Sequence, residues 1–262
     1  MLNLFEKELM PKNDIPSSTS QIHSNKWYAS WFDTPYYHIL YKDRDYKEAQ
    51  HFMDNLTQYL NLPENAKILD LACGKGRHSI YLNSLGYEVT GADLSENSIT
   101  EALKFSNETL HFKVYDMRET CDEKYDAIFN LFTSFGYFED DNDNLKTLKA
   151  IHNSLNETGF ACIDFMNVDY VIENLVPKEI KTVNGIDFHI KRYVKDNHIF
   201  KEIDFEADGE KHHYTERVQA LRLEDFEQMM EEAGIYLLDT FGNYKLQKFY
   251  KTQSERLIMI FK

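Results

Sequence analysis

The chain mixes short apolar runs with segments whose apolar residues recur every three or four positions. Residues 45–60 follow the second pattern, with Ala49, Phe52, Met53, Leu56 and Leu60 on one face and Pro63 as the stop, which predicts a helix. Strands are predicted at 67–72, 87–93, 109–115, 125–132 and 159–166, the last after a turn at Gly159. Helices are predicted between them, one ending at Gly86, one near 95–106 and one near 142–155. Strands that alternate with helices imply right-handed crossovers and a parallel sheet covered on both faces. Ligands of such sheets sit at the carboxyl ends of the strands, where the strand order reverses.

Beyond Asn167 the period changes to two. The pairs Asn184-Gly185, Asp196-Asn197 and Asp208-Gly209 start 12 residues apart and suit hairpin turns, whose central residues take positive φ. Ile186, Phe188 and Ile190 alternate with Asp187, His189 and Lys191, and Ile199, Ile203 and Phe205 continue the pattern. An antiparallel meander over about 178–221 is predicted. A helix over 223–233 stops at Gly234. Strands near 235–243 and 255–262 are joined by too few residues for a helical crossover, so they pair antiparallel. Residues 1–26 read as a polar tail or peripheral helix, and 27–262 as one domain that carries the meander.

Charge and cysteine usage narrow the partners. The net charge of −15 and the lack of a Lys/Arg cluster argue against nucleic acid, whose binders gain affinity by displacing counterions. The longest apolar run, 257–261, is far short of the ~20 residues that cross a bilayer. The first residues lack the apolar core and small-residue cleavage site of a secretory signal. Cys73, Cys121 and Cys162 are odd in number and widely spaced, as reduced thiols of a cytoplasmic protein would be. His212 and His213 are adjacent and point apart on a strand, so no metal site is expected.

Residues 68–82, ILDLACGKGRHSIYL, read as strand, glycine turn and helix start, the plan of a nucleotide site. A triphosphate loop is excluded because Lys75 stands between Gly74 and Gly76 rather than after the last glycine. A dinucleotide loop finds two glycines but Ser79 at the third position, with Asp93 available to a ribose. That reading, an NAD(P)-dependent oxidoreductase, stays open on the glycines alone. More telling is the placement of Asp70, Asp93 and Asp116 at the ends of three successive strands beside one glycine turn.

Asp70-Leu71-Ala72-Cys73-Gly74-Lys75-Gly76, followed by GYEVTGADLS, resembles the class I S-adenosylmethionine-dependent methyltransferases, in their small-molecule (methyltransferase domain 25-like) branch. The resemblance implies an α/β fold: a Rossmann-like seven-stranded, mostly parallel sheet with an antiparallel last strand, helices on both faces, and the meander as an inserted lid or dimerisation sheet. It implies S-adenosyl-L-methionine as cofactor, S-adenosyl-L-homocysteine as product, and a small-molecule acceptor methylated on N, O or S by in-line displacement. Asp70 would hold the ammonium of the methionine end. Ala72, Cys73, Gly74 and Gly76 would let the backbone approach the ligand. Asp93 would take the ribose hydroxyls, Leu94 and Met117 the adenine, and Asp116 its N6 amine, while Leu131 and Phe132 would flank the methionine portion. Tyr37, Tyr41 and Arg44 are candidates for the methionine carboxylate, although an aromatic run also suits a core. For the acceptor side the candidates are His212, His213, Tyr137 and Arg217, as base or as clamp; a solvated strand surface accounts for the His–Arg cluster equally. A non-catalytic S-adenosylmethionine-binding protein fits the same residues, because no signature nucleophile is required.

Overall fold

In the computed structural model, residues 31–42 and 46–262 are described. The tail expected at 1–26 and the candidate Arg44 lie outside the described residues. After a short helix α1 (Pro35–Leu40) comes α2 (Tyr46–Leu60), whose apolar face is the one the spacing predicted. The chain then enters β1 (Lys67–Leu71), α3 (Arg77–Ser84), β2 (Glu88–Asp93), α4 (Glu96–Ala102), β3 (Leu110–Val114), β4 (Tyr125–Asn130), α5 (Asn142–Ser154) and β5 (Leu155–Met166). A further short helix, α6 (Val168–Glu173), leads to β6 (Lys178–Val183), β7 (Ile186–Lys195), β8 (His198–Ala207) and β9 (Glu210–Gln219). Helix α7 (Leu223–Ala233) and strands β10 (Leu237–Phe241) and β11 (Arg256–Phe261) finish the fold.

Seven strands form one sheet in the order β10-β11-β5-β4-β1-β2-β3. All neighbours are parallel except β11, which runs antiparallel to both β5 and β10. The chain starts in the middle at β1, works outward to β3, and returns to β4, so the order reverses between β1 and β4. Both faces of the sheet are covered, which is why β1 reads as a nearly continuous apolar run rather than an alternation. Ile68 meets Phe52 and Leu56 of α2 on one face, while Leu69 joins Leu148 of α5 and Phe226 of α7 on the other.

The meander is a separate four-stranded antiparallel sheet, β6-β7-β8-β9. Its turns fall on the predicted pairs, with left-handed backbone at Asn184, Gly185, Asp196, Asn197, Asp208 and Gly209. Phe188, Ile190, Ile203 and Phe205 are buried on one face, under Trp31 and Leu40 of the N-terminal segment. The aromatic stretch before β1 therefore finds much of its burial on the second sheet. The pattern had given no sign of α1 or α6, each six residues long and too short to show a helical period. Strand β5 begins at Leu155, directly after α5, rather than at Gly159. Tyr125 pairs with Leu155 and Ala127 with Phe160, so the turn foreseen at Gly159 is an irregularity inside the strand. A Cβ at Gly159 would lie 2.8 Å from the Tyr125 carbonyl.

The two glycines of the turn after β1 have different duties. Gly74 has φ +56° and open space where a side chain would point. Gly76, at φ +80°, packs so close to β3 that a Cβ would lie 2.5 Å from the Phe112 ring. Both substitutions by alanine meet left-handed strain, but only Gly76→Ala also forces Phe112 to move. Gly76→Ala is expected to cost roughly 2–4 kcal/mol and Gly74→Ala about 1–2 kcal/mol. Urea unfolding of the two variants tests this ordering, and equal losses would contradict the packing role of Gly76.

Candidate functional site

The carboxyl ends of β1, β2, β3 and β4 open into a cleft of about 610 Å³, within the range of small-ligand pockets. Asp70 is the last but one residue of β1 and is 2% exposed. Ser79, on the first turns of α3, donates to it at 2.6 Å. The serine at the third-glycine position is thus a carboxylate partner. Burial pushes the Asp70 carboxyl up to about 7, the Ser79 hydrogen bond works against this, and the charge of Asp93 adds to it.

Asp93 ends β2 and faces the glycine turn. One of its oxygens accepts from the Gly74 amide at 2.8 Å and the other from the Ser95 amide at 2.9 Å. Burial raises its carboxyl above the usual range, and those backbone donors oppose the rise. Ala72 takes φ +61° at the start of the turn, where the Cys73 amide reaches back to the Ala92 carbonyl at 3.1 Å. Asp116, just past β3, is clamped by Arg118 through Nε at 2.9 Å and Nη2 at 2.5 Å. Arg118 also donates through Nη1 to Asp143 of α5 at 2.6 Å, which fixes the 115–118 loop against the helix. Two acids beside one guanidinium hold Arg118 well above its ordinary range.

Asp70, Ala72, Cys73, Gly74, Asp93, Leu94, Asp116, Met117, Leu131, Phe132, Tyr37, Tyr41 and Tyr137 all line this cleft. Gly76 does not line it, because its duty is the contact with Phe112. Beyond β4 the chain takes left-handed backbone at Phe132 and Thr133. The Phe132 amide donates to the Asp164 carboxylate at 2.8 Å, and the Thr133 amide to the Asp164 carbonyl at 2.9 Å.

A second chamber of about 430 Å³ shares Arg77, Phe132, Thr133, Tyr137 and Glu216 with the cleft. Its far side is made by Arg192, Lys201 and Val218 of the second sheet, and by Tyr244 and Arg256 beside β11. Of the acceptor-side candidates, Tyr137 stands at the junction, whereas His212, His213 and Arg217 line neither space. Alternation along β9 turns Glu216 inward and so turns His213 and Arg217 to the opposite face. There His213 meets Asp204 at 2.7 Å. His212 shares the inward face but stacks on Phe205, 4.9 Å away, in the aromatic cluster under α1. Glu216 was not among the candidates. It accepts at one oxygen from Trp31 Nε1 and from the Tyr41 hydroxyl, both at 2.7 Å. Arg256, Arg192, Lys201 and Tyr244 carried no motif; the one signal was a charge at the head of an apolar strand, RLIMIF.

The donor set suits S-adenosylmethionine rather than a pyrophosphate. A buried carboxylate, Asp70, and a half-buried one, Asp93, border the turn that would otherwise face phosphate, and the open space at Gly74 admits a close-lying ligand. Among the described residues, no three His, Cys, Asp or Glu side chains come together as a metal site, and no helix is long and apolar enough to cross a membrane.

Residues 68–159 match the family described as methyltransferase domain. The chain is 38% identical over 117 residues to a putative methyltransferase, YqeM, of Bacillus subtilis (strain 168), covering 42% of this chain and 47%, about half, of that protein. It is 27% identical over 201 residues to a glycine/sarcosine N-methyltransferase of Halorhodospira halochloris, covering 73% of this chain and 74% of the relative. Its fold is similar to that of an S-adenosylmethionine-dependent methyltransferase from Clostridium acetobutylicum ATCC 824, with a TM-score of 0.73 at 24% identity over 87% of this chain and 95% of the other. The strand order and the cleft chemistry, with these likenesses, are those of the class I S-adenosylmethionine-dependent methyltransferase fold.

Proposed function

We propose that the protein moves the methyl group of S-adenosylmethionine to a small-molecule acceptor. The observation that carries this reading is the pair of joined spaces, a cleft bordered by Asp70, Asp93 and Asp116 and a chamber that opens into it past Tyr137 and Glu216. A binding module without turnover has no use for the second space. The relative named as a glycine/sarcosine N-methyltransferase supports a small acceptor. The three cysteines, all buried and unpaired, suit a cytoplasmic setting.

In this reading Asp70 receives the ammonium of the methionine end, and Gly74 leaves room for it. Asp93 accepts from the ribose hydroxyls. Leu94 and Met117 sandwich the adenine, with Asp116, oriented by Arg118, at its amine. Leu131 and Phe132 border the methionine portion, and Tyr37 closes over it. Tyr41 reaches Glu216 rather than the cofactor carboxylate. S-adenosylmethionine supplies the activated methyl, so the chain's task is alignment and exclusion of water. The second sheet and α1 together roof both spaces, as a lid would.

Asp93→Ala is expected to lower affinity for S-adenosylhomocysteine by about tenfold or more, through loss of charge-assisted hydrogen bonds. Calorimetric titration measures this, with thermal unfolding as the check that the variant is folded; unchanged affinity in a folded variant would remove Asp93 from the ribose site.

Asp70 gives a pH test. Its carboxyl sits at about 7, so it is protonated below that, and a ligand ammonium favours the charged form. Binding must then expel a proton at low pH. Affinity for S-adenosylhomocysteine is expected to fall about tenfold per unit between pH 7 and pH 5.5 and to level off above pH 8. A flat profile would place the ammonium elsewhere.

A further inference from the structure

The side chains that line the second chamber are richer in cations than the protein as a whole. The chain carries −15 overall, yet four cations, Arg77, Arg192, Lys201 and Arg256, face this space against two carboxylates, Glu48 and Glu216. Glu216 and Arg77 stand where the chamber meets the cofactor cleft, while Glu48, Arg192, Lys201 and Arg256 line the chamber alone. Apolar side chains, among them Met166, Ile199 and Val218, complete the wall.

Arg256 is built as a fixed donor. Its Nε donates to the buried Asp164 carboxylate at 2.8 Å and its Nη2 to the Thr133 hydroxyl at 2.9 Å. Its Nη1 has no hydrogen-bond partner among the described residues. The Tyr244 ring lies 5.6 Å from the guanidinium. Burial, with the charge of Asp164, drives the Tyr244 phenol well above its usual range, so it stays protonated as a second donor. Glu216 is hydrogen-bonded at one oxygen and ion-paired at the other. Oε1 takes both hydrogen bonds, from Trp31 and Tyr41, and Oε2 is 3.9 Å from Lys201 Nζ, beyond hydrogen-bond distance. The chamber thus offers an anion-binding donor at Arg256 and a positioned carboxylate at Glu216.

We propose that the acceptor is a small zwitterion, an amine that bears a carboxylate, with the carboxylate on Arg256 and the amine at Glu216. This rests on the methyl-transfer reading above. A guanidinium with a spare nitrogen suits a carboxylate oxygen, and the Glu216 oxygen suits an N–H. Arg256 and Glu216 are the residues that set specificity. The amine enters protonated and gives one proton to water. Its lone pair then forms the new N–C bond as the C–S bond breaks, and that electron pair returns to sulfur. The sulfonium becomes a neutral thioether, and the product leaves as an N-methylammonium carboxylate.

The test begins with calorimetric binding of S-adenosylhomocysteine to the full chain, since failure there would bring down the methyl-transfer reading itself. With binding shown, thioether release from S-adenosylmethionine is measured against a panel of α-, β- and γ-amino acids, each beside the matched amine that lacks the carboxylate. The expected result is release with at least one amino acid, and at least tenfold less with its matched amine at equal concentration. Arg256→Lys, which keeps a cation opposite Asp164, is expected to raise the KM of that amino acid tenfold or more while S-adenosylhomocysteine affinity stays within twofold. Glu216→Gln, which leaves the buried Asp164 pair intact, is expected to lower kcat/KM tenfold or more with the same unchanged thioether binding. Amines accepted as well as amino acids, or no amino acid methylated by a protein that binds S-adenosylhomocysteine, would overturn the proposal.

Discussion

A buried carboxylate at the end of β5 organises the half of the molecule that the acceptor would enter. Asp164 is fully buried, and such a charge is tolerated only with a partner and with its lone pairs filled. Arg256 supplies the charge, and the Phe132 amide and Arg256 Nε fill the oxygens. The consequence reaches three elements. Strand β11 is fixed antiparallel to β5 with Arg256 paired to Met166, next to the acid it must meet. Phe132 and Thr133 are held in left-handed backbone, which costs of order 1 kcal/mol or more at a residue with a side chain. And Tyr244 is kept beside a charged pair in a dry setting. Strain at 132–133 is offset by hydrogen bonds to one residue, Asp164, through both its side chain and its carbonyl.

The opposite half depends on close approach rather than on charge. Gly76 and Gly91 both face Phe112, and a Cβ on either would lie 2.5–2.6 Å from its ring. This brings α3 down onto β2 and β3, and it places Ser79 against Asp70. The cofactor cleft therefore has a rigid floor, set by backbone contacts, while the chamber beside it is set by a network of ionised side chains.

The sequence was legible where a period or a turn type carried the information. The seven-stranded sheet, the antiparallel closing pair and the meander followed from alternation, from the 12-residue spacing of turn pairs, and from a joining segment too short for a helix. Asp70, Asp93 and Asp116 were readable because strand ends are predictable and acids there are few. The chamber was not readable, since its parts lie far apart in the chain. Arg192 and Lys201 come from the second sheet, Arg256 from the last strand, and Glu48 from α2 before the sheet begins. Helices α1 and α6 were too short for any periodic signal, and the His–Arg cluster on β9 misled because alternation alone does not say which face is inward. The charged residue of β9 that lines both spaces was the unremarked acid between His213 and Arg217, Glu216.

The docking of α1 on the second sheet bears on how the chain is made. Trp31 and its partner Glu216 are 185 residues apart. During synthesis the segment that carries Trp31 leaves the ribosome early, yet the surface that buries it exists only once β9 has been translated. The β1–β5 strands have no such wait, because each new one pairs with a strand already translated. The roof over both spaces therefore cannot assemble until β9 emerges, and an aromatic-rich segment stays without its final partner for most of translation, the interval in which a nascent chain is most exposed to misassociation.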